Sequence, residues 1–369
     1  MSRRIHMLAP FVTATATALV AVAASAPQRL VAQEHEHPTA AEFAERALEA
    51  EAAPLFASHE ALAFTLRTDI EWLRDTRSDE EEVPGTITLM GADGAEIVLP
   101  VEVRARGEFR REKRNCSFPP LRLNVPKSEM EGTVFEGQDK LKLVTPCHDS
   151  RDSYQNYVYY EYLAYRVYNL LTPLSNRVRL VEVTYEDIED DYDTRTKYGF
   201  LIEADEEMAA RNNGVLEEIG QINPGQTVAD YAVLTSLFQY LIGNTDWSST
   251  EFHNVKLVHA EDYRYFTVAY DFDFAGTVDA RYATPDERLP IRDVRDRLFW
   301  GFCFPQVQDR ARWDSYFNER RQAITDLYMS FELLEEDDRE DALKYFDEFW
   351  DVLEDDRAYT REVIEQCRG

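Results

Sequence analysis

Residues 266–277 read FTVAYDFDFAGT, and two aspartates, Asp271 and Asp273, interrupt an otherwise apolar strand. Thr267-Val268-Ala269-Tyr270 has the composition of a strand entering a core, and Phe272 and Phe274 continue it. Alternate residues of a strand share a face, so the spacing predicts Asp271 and Asp273 side by side, opposite two Phe rings. Like charges this close on a half-buried surface cost free energy unless a cation or a proton offsets them. The stretch therefore predicts a cation site.

Working outward, the chain before this segment is rich in strands and the chain after it is mostly helical. LAFTLRTD, from Leu62, reads as a strand, and TITLMGADGAEIVLPVEVRARG reads as a hairpin around Gly91 and Gly94. FPPLRLNV (118–125) and DKLKLV (139–144) alternate in the same way. NRVRLVEVTYED and TKYGFLIEAD add two more strands. A single helix interrupts them at 152–171, where DSYQNYVYYEYLAYRVYNLL has apolar residues at helical spacing and stops before Pro173. After Ala204, VADYAVLTSLFQYLIGN and two long stretches beyond residue 304 read as helices, with two short strands and a loop between them at 244–276. The order predicts an α+β, bilobal, protein-kinase-like fold: a β-rich N-terminal lobe over 60–204 and a mainly helical C-terminal lobe over 205–369.

The N-terminal 33 residues have the three-part pattern of a secretory signal peptide: a basic start, an apolar small-residue run and Ala-x-Ala options near Ala21–Ala26. Ser2-Arg3-Arg4 is also compatible with a twin-arginine signal. Residues 34–59 come next as a leader or short helix, in which His35 and His37 carry little metal-binding signal. No later run approaches the length of a membrane span. The sequence thus predicts an exported chain, periplasmic, cell-surface or secreted. Its four cysteines, Cys116, Cys147, Cys303 and Cys367, allow three pairings. We favour Cys116–Cys147 and Cys303–Cys367, which keep each bridge within one half of the chain. No CxxC spacing points to zinc.

The formal net charge is −30, and about −33 without the leader, which carries three arginines and no acid. So acidic a chain repels nucleic acid and anionic membranes, and an anionic ligand would need a local basic patch or a divalent metal. The run Arg104–Arg114, with six Lys or Arg, is such a patch, although a charged hairpin edge explains it equally well.

Upstream of the paired aspartates, LIGNTDWSSTEFHNVKLV (241–258) ends a helix at Gly243, carries Asp246 in a polar loop and opens the next strand at Asn254. Phosphoryl transfer uses this set of groups: one aspartate to orient the attacking hydroxyl, an asparagine and a second aspartate to hold the metal against the phosphates. Asp246, Asn254 and Asp271 occur in that order, with Asp273 as a further metal ligand. Hard oxygen ligands suit Mg2+ or Mn2+. RARGEFRREKRNCSFPPLRL, DKLKLV, the helix at 154–171, KYGFLIEA, GNTDWSSTEFHN and YDFDFAG together resemble, in order, the spore-coat protein H (CotH) kinase-like family, over about residues 60–300.

That resemblance implies an atypical kinase fold and, where active, transfer of phosphate from ATP to protein serines. It implies Asp246 as the catalytic-loop aspartate, Asn254 and Asp271 as metal ligands, and Lys142 as the phosphate-binding base, with Lys140, Arg106 and Arg122 as rivals. Glu161 is the implied helical partner of that base, and Glu203 closes a strand that resembles the adenine-facing hinge. Two departures stand out. Asp246 and Asn254 lie eight positions apart in this chain, against about five in the kinase pattern. No Gly-rich phosphate loop is evident. The alternative is therefore a catalytically inactive, extracytoplasmic binding protein of the same family, which the scarcity of ATP outside the cytoplasm also favours. A third reading, a DxD nucleotide-sugar transferase, conflicts with the strands-first order. His253 reads most simply as a hydrogen-bonded loop residue, and Arg292, Arg295 and Arg297 as ion-pair partners of the acidic C-terminal helices.

Overall fold

A computed structural model of the chain describes residues 37–91 and 93–369. The expected signal peptide lies outside the described residues. Pro38–Gly369 forms one compact unit, and its dominant feature overturns the bilobal expectation. Seven strands, β1 (Leu62–Thr68), β2 (Val83–Met90), β3 (Glu96–Ala105), β4 (Leu121–Asn124), β5 (Lys140–Val144), β6 (Val178–Asp187) and β7 (Arg195–Ile202), close into a barrel in the order β1-β2-β3-β4-β5-β7-β6. All neighbours are antiparallel except β6 and β1, which pair in parallel from Leu62 opposite Val181 to Thr68 opposite Asp187 and so seal the barrel. A sheet closed on itself has no free edge. It does not fit a bilobal kinase-like architecture.

Alternation along each strand builds the barrel. Val103, Leu121, Leu123, Leu141, Leu143, Val181 and Leu201 fill its interior, and their neighbours in sequence face outward. The hairpin turn is made by Gly91, whose N–H donates to the Ala95 carbonyl at 2.8 Å, and by Gly94 at φ +80°.

Helix α1 (Ala40–Ala52) starts at a Thr39/Glu42 capping box, and α2 (Ile70–Thr76) comes after β1. Helix α3 (Gln155–Leu171) lies between β5 and β6 in sequence but is buried in a second core. That core also takes in α4 (Asp205–Arg211), α5 (Ala229–Ile242), α6 (Arg310–Met329), α7 (Glu336–Glu354) and α8 (Asp356–Tyr359). A small sheet, β8 (Gly214–Glu217), β9 (Val255–Ala260) and β10 (Tyr265–Ala269), has the order β10-β9-β8. Gly243 ends α5 in the left-handed region at φ +68°, and a Cβ there would fall 1.9 Å from the Tyr345 hydroxyl of α7. Only glycine lets the chain turn so close to α7 and enter the Asp246 loop.

The bridges are Cys116–Cys147 and Cys303–Cys367, the favoured pairing. They fit an oxidising compartment. Among the described residues no helix is long and apolar enough to cross a membrane.

Candidate functional site

Strand β10 ends at Ala269, four residues short of Asp273. The predicted alternation fails because Asp271 adopts φ +62°, a left-handed conformation that costs an L-residue on the order of 1 kcal/mol. Phe272 is then fully buried against Tyr165, Tyr168 and Phe238, with ring centroids 4.5–6.2 Å away. Phe274 turns instead toward Phe109 and Tyr282. The two rings do not share a face. Phe272 acts as the anchor that fixes Asp271 and Asp273 on either side of it. The Asp271 N–H donates to the Tyr165 hydroxyl at 2.8 Å, one helical turn beyond Glu161 on α3.

Asp273 is buried, and its carboxylate accepts a hydrogen bond from the Tyr282 hydroxyl at 3.2 Å. Burial, with Asp271 next in weight, pushes its carboxyl up to about 7. Glu161, also buried, is raised for the same first reason, with Asp273 adding to it. One cation faces both. The buried Arg110 guanidinium stands 3.6 Å from Glu161 and hydrogen-bonds the Thr145 carbonyl. Burial would lower its pKa, but the combined pull of Tyr282, Asp273, Glu161 and Asp271 raises it. Asp271, Asp273 and Glu161 all act on this one buried guanidinium, with Arg106 a weaker influence on Glu161, and the raised carboxyls hold protons where a further cation would otherwise be needed.

Asp246 and Asn254, eight residues apart, meet directly. The Asn254 amide donates to the Asp246 carboxylate at 3.1 Å and to its backbone carbonyl at 2.8 Å. His253 contacts the same carboxylate at 2.9 Å. Asn254, like Asp271, sits at positive φ, and its carbonyl accepts the Tyr270 N–H at 3.0 Å. The loop and the Asp271 segment are therefore tied through backbone. Asp246 also lines a cleft of about 970 Å³ with Trp247, His253, Phe274, Arg288 and Trp300.

On the barrel side, Arg104, Arg122 and Lys142 stand directly opposite one another on β3, β4 and β5. Like charges at paired positions destabilise a sheet. Asp205 offsets part of this, at 2.8 Å from Lys142 and 3.5 Å from Lys256. Both lysine ammonium groups also lie over the Tyr270 ring, 5.4 and 5.2 Å from its centroid. Burial lowers the Lys142 pKa; Asp205 opposes this and Arg106 adds to it. Arg122 is lowered by burial, then by Arg104 and Arg106.

The sequence-predicted residues thus fall into three connected groups: Asp271 and Asp273 with Glu161; Asp246 with Asn254; and Lys142 with Arg106 and Arg122. Glu161 pairs with Arg110, which sequence alone did not single out, and Lys142 pairs with Asp205. Glu203 commits its carboxylate to Arg211, at 2.9 and 3.0 Å, and to the Arg177 N–H at 2.8 Å. Arg110 belongs to the basic run Arg104–Arg114, but nothing in the run distinguishes it from Arg111. Of the arginines beyond the site, Arg297 packs over Tyr345 and hydrogen-bonds the Tyr240 carbonyl at 2.7 Å. Among the described residues no three His, Cys, Asp or Glu side chains converge to form a metal site by themselves.

Comparison with protein-family profiles, curated proteins and solved structures returned no match.

Proposed function

We propose that the protein is an exported phosphotransferase that binds ATP with Mg2+ or Mn2+ and passes its terminal phosphoryl group to a hydroxyl of a protein or small molecule. The observation that carries this reading is the pairing of opposite excess charges across Tyr270. Arg104, Arg122 and Lys142 form a cationic row on one side, partly offset by Glu82 beside Arg104 and Asp205 beside Lys142, and Asp271, Asp273 and Glu161 outnumber Arg110 on the other. In a chain of net charge −30, a triphosphate relieves the first excess and a divalent cation the second.

The donor set suits magnesium. That ion keeps several waters and binds through one or two carboxylates plus substrate phosphates, so it needs no cage of three protein ligands. Asp271 would hold it, and it would supply charge neutralisation as the phosphoryl group moves. Lys142 and Arg122 bind phosphate oxygens, Tyr270 separates the two charge groups, and Asp246 on the cleft wall accepts the proton of the attacking hydroxyl.

Calorimetric titration of ATP, with and without Mg2+ or Mn2+, tests the reading. The expected result is metal-dependent binding that weakens at least about tenfold in Asp271→Asn, roughly 1.4 kcal/mol, while that variant keeps the parent's melting curve. Metal-independent binding, or binding unchanged in Asp271→Asn, would remove the aspartate pair from the mechanism. No nucleotide binding at all would leave the inactive binding protein as the reading.

A further inference from the structure

Seven residues beyond Arg110 the chain assembles a second group of polar side chains. The Cys116–Cys147 bridge, with Cα atoms 4.7 Å apart, sets the residues after each cysteine against one another. Ser117 Oγ lies 3.0 Å from His148 Nδ1 and 3.3 Å from Asp149 Oδ1, two acceptors that share its one proton. The Ser117 backbone N–H points at His148 Nδ1 at 3.3 Å as well as at the Cys147 carbonyl at 2.9 Å. A backbone N–H only donates, so Nδ1 is the acceptor nitrogen of this imidazole; the N–H has its shorter contact with the Cys147 carbonyl, which leaves the hydroxyl, at 3.0 Å, as the closer partner of Nδ1. Ser117 and Asp149 open onto a pocket of about 230 Å³ that Arg74, Arg195, Tyr192, Asp191 and Asp193 also line. Arg74 keeps a buried Nε–H without a hydrogen-bond partner among the described residues.

We propose that Ser117 is an activated nucleophile, with His148 as its general base, in a site for small uncharged carboxylic esters. Ser117 Oγ attacks the ester carbonyl as its proton passes to His148 Nδ1. The carbon–oxygen bond to the alcohol then breaks, and the alcohol leaves with that proton. Water enters by the same route, deprotonated by His148, and releases the carboxylic acid and the free serine. Burial first and Arg151 second lower the His148 pKa, and Asp149 opposes them. Tyr154, edge-on at 4.5 Å, holds the ring. Arg74 and Arg195 are the cations on the pocket wall, and both also pair with carboxylates, Arg74 with Glu71 and Arg195 with Asp149 and Asp193.

The full oxidised chain, treated with a fluorophosphonate and mapped by mass spectrometry, is expected to carry the adduct on Ser117. Labelling should slow at least tenfold in His148→Gln. The wild-type rate against pH gives a second reading that does not depend on how well the variant folds. A histidine acting as base gives a rate that levels off once the imidazole is neutral, whereas an unassisted serine follows hydroxide without levelling. An adduct spread over other serines, an unchanged rate in His148→Gln, or a rate that climbs with hydroxide throughout would each overturn the proposal. Neither reagent nor readout involves nucleotide, so the outcome is independent of the phosphotransferase reading.

Discussion

Asp273→Asn is expected to stabilise the protein by about 2–4 kcal/mol at pH 8 and to leave it no more stable at pH 4. The folded carboxyl is raised to about 7, by burial first and Asp271 second, while in the unfolded chain it titrates near 4. Below that lower value both states hold the proton and nothing is lost. Between about pH 4 and 7 the unfolded chain releases its proton first, so wild-type stability falls as pH rises. Above 7 the full cost of a buried carboxylate is present. An amide carries no such cost, and Arg110 retains Glu161 as its partner. Urea midpoints of the two proteins at pH 4, 6 and 8 would show the curves diverging with pH. Parallel curves would mean that Asp273 is ionised without penalty, and the charge excess that calls for a cation would vanish with it. The same substitution is expected to weaken metal-dependent nucleotide binding. Stability surrendered at one position and recovered when that position is neutralised is the mark of a group kept for function.

The aspartate pair was legible in the sequence because charge in an apolar run is conspicuous, but its geometry was not. Continuing the strand to Phe274 assumed extended backbone at Asp271, and nothing local announces a left-handed aspartate. Burial of Phe272 drives that conformation, since the ring must reach Tyr165 and Phe238. Alternating apolar residues foretold all seven barrel strands, and helical spacing foretold α3, α5, α6 and α7. Closure was invisible for a different reason. The parallel pairing of β1 with β6 joins residues more than a hundred positions apart, and either strand taken alone has the same pattern whether the sheet is open or closed. Arg110 and the Ser117–His148 contact share this character. Each depends on the Cys116–Cys147 bridge and its surroundings, so each becomes visible only when distant segments are brought together. The cationic row was half legible: the residues alternate correctly on three strands, but only register places them opposite one another.

Arg110→Met should cost about 3–5 kcal/mol at pH 8, whereas Arg111→Met, one residue on, should cost about 1 kcal/mol or less. The two arginines are neighbours in the same basic run and differ in their surroundings. Arg111 is part-exposed, and its ion pair with Asp79, at 3.0 Å, lies at the surface where water and salt screen it. Arg110 is buried among Glu161, Asp273 and Tyr282. Methionine fills much of its volume but leaves two buried carboxyl groups with no cation, and that uncompensated charge sets the size of the effect. The disulfide still holds the loop, so the loss is electrostatic in origin and should shrink as those carboxyls take up protons. Unfolding of both variants in urea at pH 8 and pH 5 separates the two contributions. At pH 5 Arg110→Met should recover a large part of its deficit, while Arg111→Met should not move. A deficit in Arg110→Met that is equally large at both pH values would assign the residue a packing role, and its place between Glu161 and Asp273 would no longer argue that this corner of the protein is built to receive a cation.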